Sequence, residues 1–352
     1  MPPSSGTVAV TGASGFIASH IIEELLRRGR VVHGTVRDLG DPEKTEHLRM
    51  MVVNAPGELR LFESDLLIKG SFDEAFSGCE TVMHTAAVVI IDSPNPKETI
   101  VDPSVEGTRN VLESIIRVGG VRHLVHTSSV AAIRGGVIED GRVHTESDWN
   151  DTSSLERFPY GLAKASAEML AREFHANLPE NGRFRYASIN PSIVFGAPFT
   201  TAHSKGSNSI IWSLLMKKFP RSPKISVSVV DVRDVVAAHL NAMELDGDDP
   251  TRFILCGDTM PIRRLSEIGS RLYPQFRWPR GELPNFLTLL FARLGATEYS
   301  ATTLKSMLGR SETYDNSLSR EVLGIDYHDI DETFGFTVDS MLDRGFAGPR
   351  RR

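Results

Sequence analysis

The chain has 352 residues, of which 40% are hydrophobic and 24% are charged, and its formal net charge is −6. These values are ordinary for a globular protein with one large or two small domains, and they offer no basic surface for nucleic acid. Two cysteines, Cys79 and Cys256, exclude a disulfide framework or a CxxC metal pattern, and a cytoplasmic protein is expected because neither a signal peptide nor a run of about 20 apolar residues is present.

The first predicted elements are a strand, a glycine-rich turn and a helix. A β-branched run at residues 7–11 leads into Gly12 and Gly15, and apolar residues then recur at helical spacing. In such a turn the first glycine permits a sharp bend, and the second lets the backbone approach a phosphate at the helix N-terminus. The spacing Gly12-x-x-Gly15-x-x-Ala18 is weak by itself, but its position between strand and helix predicts a dinucleotide pyrophosphate site.

The end of the second predicted strand, residues 30–36, indicates which dinucleotide binds. An acidic residue at this position bonds the ribose 2′-hydroxyl of NAD, whereas an arginine can hold the 2′-phosphate of NADP. Arg37 follows the strand directly and Lys44 lies seven residues further on. Asp38 could be a displaced ribose ligand, and Arg37 could be an ordinary exposed charge. The pattern favours NADP.

Strands and helices then alternate along the first half of the chain, which predicts an α/β fold with a Rossmann-type doubly wound parallel sheet. Asp65, after the third strand, could face the adenine amine or cap the next turn. His84 lies in the apolar fourth strand and is predicted to be a core histidine. The further strands are predicted at 59–63, 81–85, 121–127 and 184–189, and the helices at 42–53, 71–76, 98–118 and 156–178.

Chemistry is indicated by two hydroxyls and by a tyrosine–lysine pair. Ser128 and Ser129 end the fifth strand, and Tyr160 and Lys164 lie one turn apart on a predicted helix. A phenol has a pKa near 10, and an ammonium one turn away favours the phenolate and lowers that pKa. The pair can therefore exchange a proton at a substrate oxygen held by a serine hydroxyl. Such a pair is common on helix surfaces, but its place after a nucleotide fold favours catalysis.

These motifs together resemble the extended short-chain dehydrogenases/reductases, in particular dihydroflavonol reductases, cinnamoyl-CoA reductases and fungal aldehyde and ketone reductases. The resemblance implies that Ser129, rather than Ser128, is the catalytic serine and that Tyr160 is the proton donor. It also implies that Lys164 bonds the nicotinamide ribose and supports the tyrosine. The matching segments occur in a common order almost end to end, at 11–19, 35–38, 126–129, 160–164, 190–196, 230–239 and 316–324.

The same resemblance assigns the cofactor site. In NAD-using sugar epimerases of this superfamily the ribose acid falls where Val36 stands, which argues against Asp38. The chain departs from the family pattern at residues 104–108, as members of the flavonoid-type branch often do, and from the plant members at residues 86–88. The flavonoid pocket residues have no clear counterparts in this sequence, which makes a flavonoid substrate doubtful. The expected cofactor-binding residues are Gly12, Ser14, Gly15, Phe16, Ile17, Arg37, Lys44, Asp65, Leu66, Thr85, Ala86, Ala87, Thr127, Tyr160, Lys164, Pro191, Ser192, Ile193 and Val194.

Beyond residue 190 the alternation weakens, and a smaller, mostly helical substrate-binding part is predicted. The NADP-binding domain is expected at 1–190 with 225–257 added, the lid at 191–224 and 258–347, and a loose tail at 348–352. The pocket is predicted to be apolar and to lack an obvious arginine cluster for a carboxylate, diphosphate or coenzyme A. Arg277 and Arg280 could serve that purpose, but solvated loop charges are the preferred interpretation. Each of the candidate lining residues could equally be an ordinary core residue; they are Trp149, Phe158, Phe199, Trp212, Phe286 and Phe291.

The sequence therefore predicts an NADPH-dependent reductase that acts on an aldehyde or ketone, with an apolar or aromatic small-molecule substrate and no nucleic-acid, membrane or metal partner. The alternatives are a hydroxysteroid-type dehydrogenase, a sugar-nucleotide epimerase or dehydratase that recycles NAD, and an NADP sensor without chemistry. Dehydratases usually carry an acidic pair directly after the strand-end hydroxyl, where this chain has Val130-Ala131-Ala132. Both a monomer and a homodimer are compatible with the sequence.

Overall fold

The computed structural model describes residues 6–90, 93–246, 251–294 and 301–348. Seven parallel strands form its main sheet, in the order β3-β2-β1-β4-β5-β7-β10, and two smaller sheets join β8, β9 and β11 and pair β6 with β12. The strands are β1 (Thr7–Thr11), β2 (Val31–Val36), β3 (Glu58–Glu63), β4 (Cys79–His84), β5 (His123–Thr127), β6 (Val143–His144), β7 (Arg185–Pro191), β8 (Ile193–Phe195), β9 (Ser226–Asp231), β10 (Thr251–Leu255), β11 (Asp258–Pro261) and β12 (Thr313–Tyr314).

Helices cover both faces of the main sheet, as the doubly wound prediction requires, and the predicted fold class is confirmed. The helix predicted at 98–118 is a π-helical turn, Lys97–Val101, that continues into an α-helix. The α-helices are α1 (Phe16–Arg27), α2 (Pro42–Met51), α3 (Asp73–Phe76), α4 (Asp102–Val118), α5 (Pro159–Ala176), α6 (Ser209–Leu215), α7 (Val232–Ala242), α8 (Ile262–Leu272), α9 (Asn285–Arg293), α10 (Ala301–Met307), α11 (Ser317–Leu323) and α12 (Ile330–Asp343).

The central strands are buried on both faces, and β5 and β7 bury polar residues such as His126 and Ser188 beside their apolar ones. In β1 the residues from Val8 to Thr11 are all buried. The helix α1 presents Ile21, Ile22 and Leu25 to the core, at the spacing of one helical face. This packing fixes the direction in which α1 leaves the glycine turn.

The order in which the chain adds strands to the sheet reverses between β1 and β4. These strands pair in parallel, with Thr11 beside His84, so that the glycine turn after β1 and the loop after β4 lie next to each other. In open α/β sheets ligands bind outside the carboxyl ends of the strands at such a switch point. The topology therefore places the predicted cofactor turn where a dinucleotide binds.

A second core lies under the C-terminal half of the chain. Trp278 and Phe334 are fully buried there, and they pack with Phe195 and Leu265 around the smaller sheet. The strand β10 returns to the edge of the main sheet, whereas β9 belongs to the three-stranded sheet. No helix in the described part of the chain is both long and apolar enough to cross a membrane. The tail expected at 348–352 lies, apart from residue 348, outside the described residues.

Candidate active site

The glycine turn has the geometry of a phosphate-binding loop. Gly12 adopts a φ of +66°, and a Cβ atom there would lie 3.0 Å from the Cα of Ala86. Gly15 precedes α1, no side chain caps that helix, and its first turn carries no acidic residue. The amides at the start of α1 therefore face a position that suits an anion, and the residues present fit a dinucleotide pyrophosphate.

The hydroxyl of Thr11 binds the loop after β4 to this turn. Its Oγ1 atom accepts from the amides of Thr85 and Ala86, at 3.1 Å each, and lies 2.9 Å from His84 Nδ1. Burial holds the pKa of His84 well below its ordinary value, so the ring stays neutral. The prediction that His84 is a core histidine is confirmed. Of the predicted cofactor residues after β4, Ala86 lies directly beside Gly12 and Thr85 bonds the neighbouring Thr11.

The other side of the turn is held by a residue that the sequence analysis missed. His203 Nδ1 accepts from the Phe199 amide at 3.3 Å, so its Nε2 carries the proton and donates to the Ser14 carbonyl at 2.9 Å. Behind it, His47 Nε2 lies 3.0 Å from the hydroxyl of Ser19 on α1. No motif in the sequence indicated this contact, since residue 203 is 189 positions from Ser14.

Arg37 follows β2 directly, and its side chain is exposed. Asp38 accepts from the Gly40 amide at 2.8 Å and so closes its own turn, which disfavours it as a displaced ribose ligand. Asp65 likewise accepts from the Leu67 amide at 2.8 Å. For Asp65 the structure therefore favours the turn-capping alternative, while its second oxygen still allows an adenine contact.

Lys164 lies on α5, and its buried side chain reaches the end of β5. Its Nζ atom donates to the Thr127 carbonyl at 3.2 Å, and the Thr127 hydroxyl lies 2.7 Å from His239 Nε2. Burial lowers the pKa of Lys164 to about 8, and the carboxylate of Glu168 opposes that shift. The buried amine thus stays largely protonated near neutral pH, one helical turn from Tyr160.

Ser129 lies just beyond β5, with its hydroxyl between two backbone groups. The Oγ atom accepts from the Ala131 amide at 3.1 Å and donates to the Pro191 carbonyl at 3.4 Å. The second hydrogen bond is long, so the hydroxyl can exchange this partner for a substrate oxygen at little cost. Ser192 and Ile193, from the same stretch as Pro191, line the cavity next to it.

Tyr160 lies in the first turn of α5, after a distorted residue. Phe158 adopts φ +59° and ψ +56°, a left-handed conformation that is rare for an aromatic residue. A Cβ atom at Gly161 would meet the Phe158 ring at 2.4 Å, so only glycine leaves room for it. Tyr160 and Ser129 line one cavity of about 1280 Å³, and Phe158 lines it too.

A buried carboxylate behind the site was also missed. Glu168 is fully buried and accepts from Arg252 Nε at 2.6 Å, Ser128 Oγ at 2.5 Å and Asn190 Nδ2 at 2.8 Å. The Asn190 amide also donates to the Ser129 carbonyl, at 3.1 Å. This network connects α5, β5, β7 and β10 and fixes the backbone of Ser129. Its sequence signal was a third polar residue one turn beyond Lys164 on an otherwise apolar helix face.

The cavity wall differs from the apolar pocket predicted from the sequence. Apolar residues such as Val130, Ile138 and Ile210 line it, but so do three arginines and two lysines, and the expectation of a pocket without an arginine cluster is wrong. Arg277 and Arg280 are exposed, as predicted. Of the six aromatic candidates, Phe158 lines this cavity within the described residues, whereas these five do not: Trp149, Phe199, Trp212, Phe286 and Phe291.

A glycine turn at the switch point of a parallel sheet, with a serine and a tyrosine on the adjoining cavity and a lysine one turn behind, defines the class of extended short-chain dehydrogenases/reductases. Within that class the chain belongs to the 3-beta hydroxysteroid dehydrogenase/isomerase family, whose sequence model matches residues 9–282.

Individual relatives cover most of the chain. Tetraketide alpha-pyrone reductase 1 of Arabidopsis thaliana is 30% identical over 349 residues, which are 98% of both proteins. Cinnamoyl-CoA reductase CAD2 of Medicago truncatula is 33% identical over 279 residues, or 77% of this chain and 82% of that protein. The crystal structure of Gre2 from Candida albicans in complex with NADPH superposes with a TM-score of 0.78 at 27% identity, covering 96% of this chain and 98% of that one.

Proposed function

We propose that this protein is an NADPH-dependent oxidoreductase that reduces an aldehyde or ketone to the alcohol. The observation that carries the proposal is the shared cavity of Ser129 and Tyr160, with the buried Lys164 one helical turn behind. The related reductases and the NADPH complex of the Candida protein support the cofactor and the reaction type.

NADPH, when bound, supplies the hydride that adds to the carbonyl carbon. The amides after Gly12 and Gly15 would hold its pyrophosphate, and Arg37 would hold its 2′-phosphate, with Lys44 as a second cation. The backbone of Thr85, Ala86 and Ala87 and of residues 191–194 would flank the nicotinamide. Phe16 and Ile17, at the start of α1, complete this edge of the site.

The substrate oxygen becomes a hydroxyl, so it needs a proton and a hydrogen-bond donor. Tyr160 would donate that proton, and Ser129 would orient the carbonyl with its O–H group. The Lys164 ammonium would stabilise the phenolate left on Tyr160 and bond the nicotinamide ribose. The backbone carbonyl of Thr127 keeps that ammonium in place.

Replacing Tyr160 by phenylalanine tests this assignment, because it removes the acidic hydroxyl and keeps the ring. We expect NADPH oxidation with a panel of aldehydes and ketones to fall by about 10²–10⁴-fold, the usual size of a lost acid–base step. NADPH binding, followed by fluorescence titration, should be nearly unchanged. Tyr273→Phe is the matched control, since its hydroxyl bonds Asp339 outside the cavity. Wild-type turnover in Tyr160→Phe would show that the assignment is wrong.

The family to which the chain belongs favours one alternative, the oxidation of a hydroxysteroid with NADP⁺. The same residues would then act in reverse, with Tyr160 accepting the proton of the alcohol. A panel of 3-hydroxysteroids with NADP⁺, compared with the carbonyl panel with NADPH, decides between the two directions.

A further inference from the structure

One wall of the active-site cavity begins with a half-buried arginine. Arg134 follows the short 3₁₀ turn after Ser129, and its guanidinium carbon lies 4.5 Å from the ring centre of Phe158. This ring is the one that Gly161 accommodates beside Tyr160. The backbone therefore holds Phe158 in a strained conformation, and Phe158 in turn positions the charge of Arg134 on the wall that Ser129 and Tyr160 share.

Two further arginines pack on the same short segment, residues 134–138. The Cγ atom of Arg157 would lie 3.0 Å from a Cβ at Gly136, so the arginine stem covers that glycine. Arg310, from the distant end of the chain, donates from Nη1 to the Ile138 carbonyl at 3.3 Å. Arg134, Arg157 and Arg310, here named the arginine wall, all line the cavity.

The positive charge of the arginine wall is only partly compensated. Arg134 Nε lies 3.5 Å from Glu312, a buried carboxylate that also lies 3.2 Å from His144 Nε2. Within the described residues, Arg157 and Arg310 form no ion pair with a carboxylate, and the hydrogen bond of Arg310 goes to a backbone carbonyl.

The rest of the cavity adds further positive charge. Lys205 and Lys305 line it as well, while the remaining lining acid, Glu156, already accepts from the hydroxyl of Ser154 at 2.9 Å. The whole chain has a net charge of −6, yet five cationic and two anionic side chains line this cavity. This local excess of positive charge favours the binding of an anionic ligand.

We propose that the carbonyl substrate carries a carboxylate or phosphate group, which Arg134, Arg157 and Arg310 bind while Ser129 and Tyr160 hold the carbonyl. The inference rests on the proposed reductase function. Guanidinium groups match the planar oxygens of carboxylate and phosphate and can bind them in bidentate pairs. The volume of about 1280 Å³ leaves room for both ends of such a substrate in one cavity.

The test compares the reduction of three aromatic aldehydes that differ in the group opposite the aldehyde: 4-formylbenzoate, its methyl ester and 4-formylphenyl phosphate. With NADPH, we expect kcat/KM to be at least about tenfold higher for one of the two anions than for the ester, a difference of ~1.4 kcal/mol. The advantage should lie mainly in KM and should shrink with added salt. A preference for the phosphate or for the carboxylate identifies which anion the wall suits.

Variants then assign that advantage to the arginine wall. The double variant Arg157→Gln/Arg310→Gln should remove the preference for the anion and keep turnover of the ester, which also shows that the protein folds. Arg277→Gln, an exposed arginine away from the cavity, should leave the preference unchanged. An ester reduced as well as both anions by the wild type would overturn the inference and leave the proposed reductase intact.

A binding measurement separates the two proposals if none of the aldehydes is reduced. Terephthalate has no reducible carbonyl, and its affinity for the NADPH-loaded protein can be measured by calorimetry. Tighter binding to the wild type than to the Arg157→Gln/Arg310→Gln variant supports the arginine wall even if reductase activity is absent. Equal binding to both proteins overturns it.

Discussion

Arg37 is the residue on which the choice between NADPH and NADH depends. It stands directly after β2, exposed, while its neighbour Asp38 is engaged with Gly40. Replacement by glutamine should remove a charge-assisted contact to the 2′-phosphate, at a cost on the order of 1.5–3 kcal/mol of NADPH binding. NADH lacks that phosphate, so its binding should hardly change. Titration of both cofactors checks this.

The control for Arg37→Gln is Arg60→Gln, which removes an exposed arginine from β3 that pairs with Glu58. It should leave the ratio of NADPH to NADH affinity as it is in the wild type. Equal losses for the two cofactors in Arg37→Gln would contradict a 2′-phosphate role. Arg37 would then be an ordinary charge at the end of a strand.

Among the secondary-structure elements, the two glycines that flank α1 allow two effects of an alanine substitution to be separated. One effect is strain of the backbone conformation, and the other is the close approach of the new Cβ atom to a neighbouring residue. Gly12 lies in the turn between β1 and α1, and Gly29 follows the end of α1, with φ of +66° and +73°. Alanine at either position is strained by its backbone conformation, by roughly 1 kcal/mol. At Gly29 nothing lies within 4 Å of the new Cβ, whereas at Gly12 it meets the backbone of Ala86 at 3.0 Å.

We therefore expect Gly29→Ala to lower the free energy of unfolding slightly and to leave NADPH binding unchanged. Gly12→Ala should lower the free energy of unfolding by about 1–3 kcal/mol more, because the new Cβ meets backbone atoms of Ala86, which must move. The substitution should also weaken NADPH binding, since it displaces the loop after β4. Urea unfolding and cofactor titration of both variants measure the two effects. Similar NADPH affinity in the two variants would show that the contact with Ala86 does not shape the cofactor site.

The strands and helices differ in how far the sequence could predict them. Six of the seven strands of the main sheet were predicted with ends within about two residues, because buried strands leave apolar runs between turn residues, whereas β10 was not predicted as a strand. The pairing of β6 with β12 was not predicted, since strands of two residues carry no periodic signal. On α5, the spacing revealed Tyr160 and Lys164. Glu168 continues the same series, but its role depends on partners from β7 and β10.

At the scale of the whole molecule, the arginine wall could not be predicted from the sequence, because it depends on contacts between segments that are distant in the chain. Arg134 and Arg157 come from the loops around Ser129, and Arg310 comes from a segment more than 150 positions away. Their meeting is set by the fold of the C-terminal half, where the alternation of strands and helices that guided the prediction ends. The division into an NADP-binding domain and a lid likewise stays a prediction.

The same long-range packing buries histidines, which makes the stability of the whole molecule sensitive to pH. Burial lowers the pKa of His20 and His239 to about 4 and that of His126 to about 3, with His84 also well below its ordinary value. An unfolded histidine has a pKa near 6.5. Below that pH the unfolded chain binds protons that the folded protein excludes, so stability is complete above pH 6.5 and is lost as the pH falls towards 4.

By pH 5 each of His20, His126 and His239 should reduce the free energy of unfolding by about 1–2 kcal/mol, and His84 acts in the same direction. The carboxyls of Asp234, which is buried, and Glu146, which is partly buried, act in the opposite direction, because burial raises their pKa and the folded state binds their protons first. Because the histidines with a lowered pKa outnumber the carboxyls with a raised one, Tm should fall clearly between pH 7 and pH 5, and calorimetry in buffers of different ionisation enthalpy should record proton uptake on unfolding. A Tm that stays level over this range would mean that the histidine rings are protonated in the fold, which their neutral hydrogen bonds to Thr11 and Thr127 argue against.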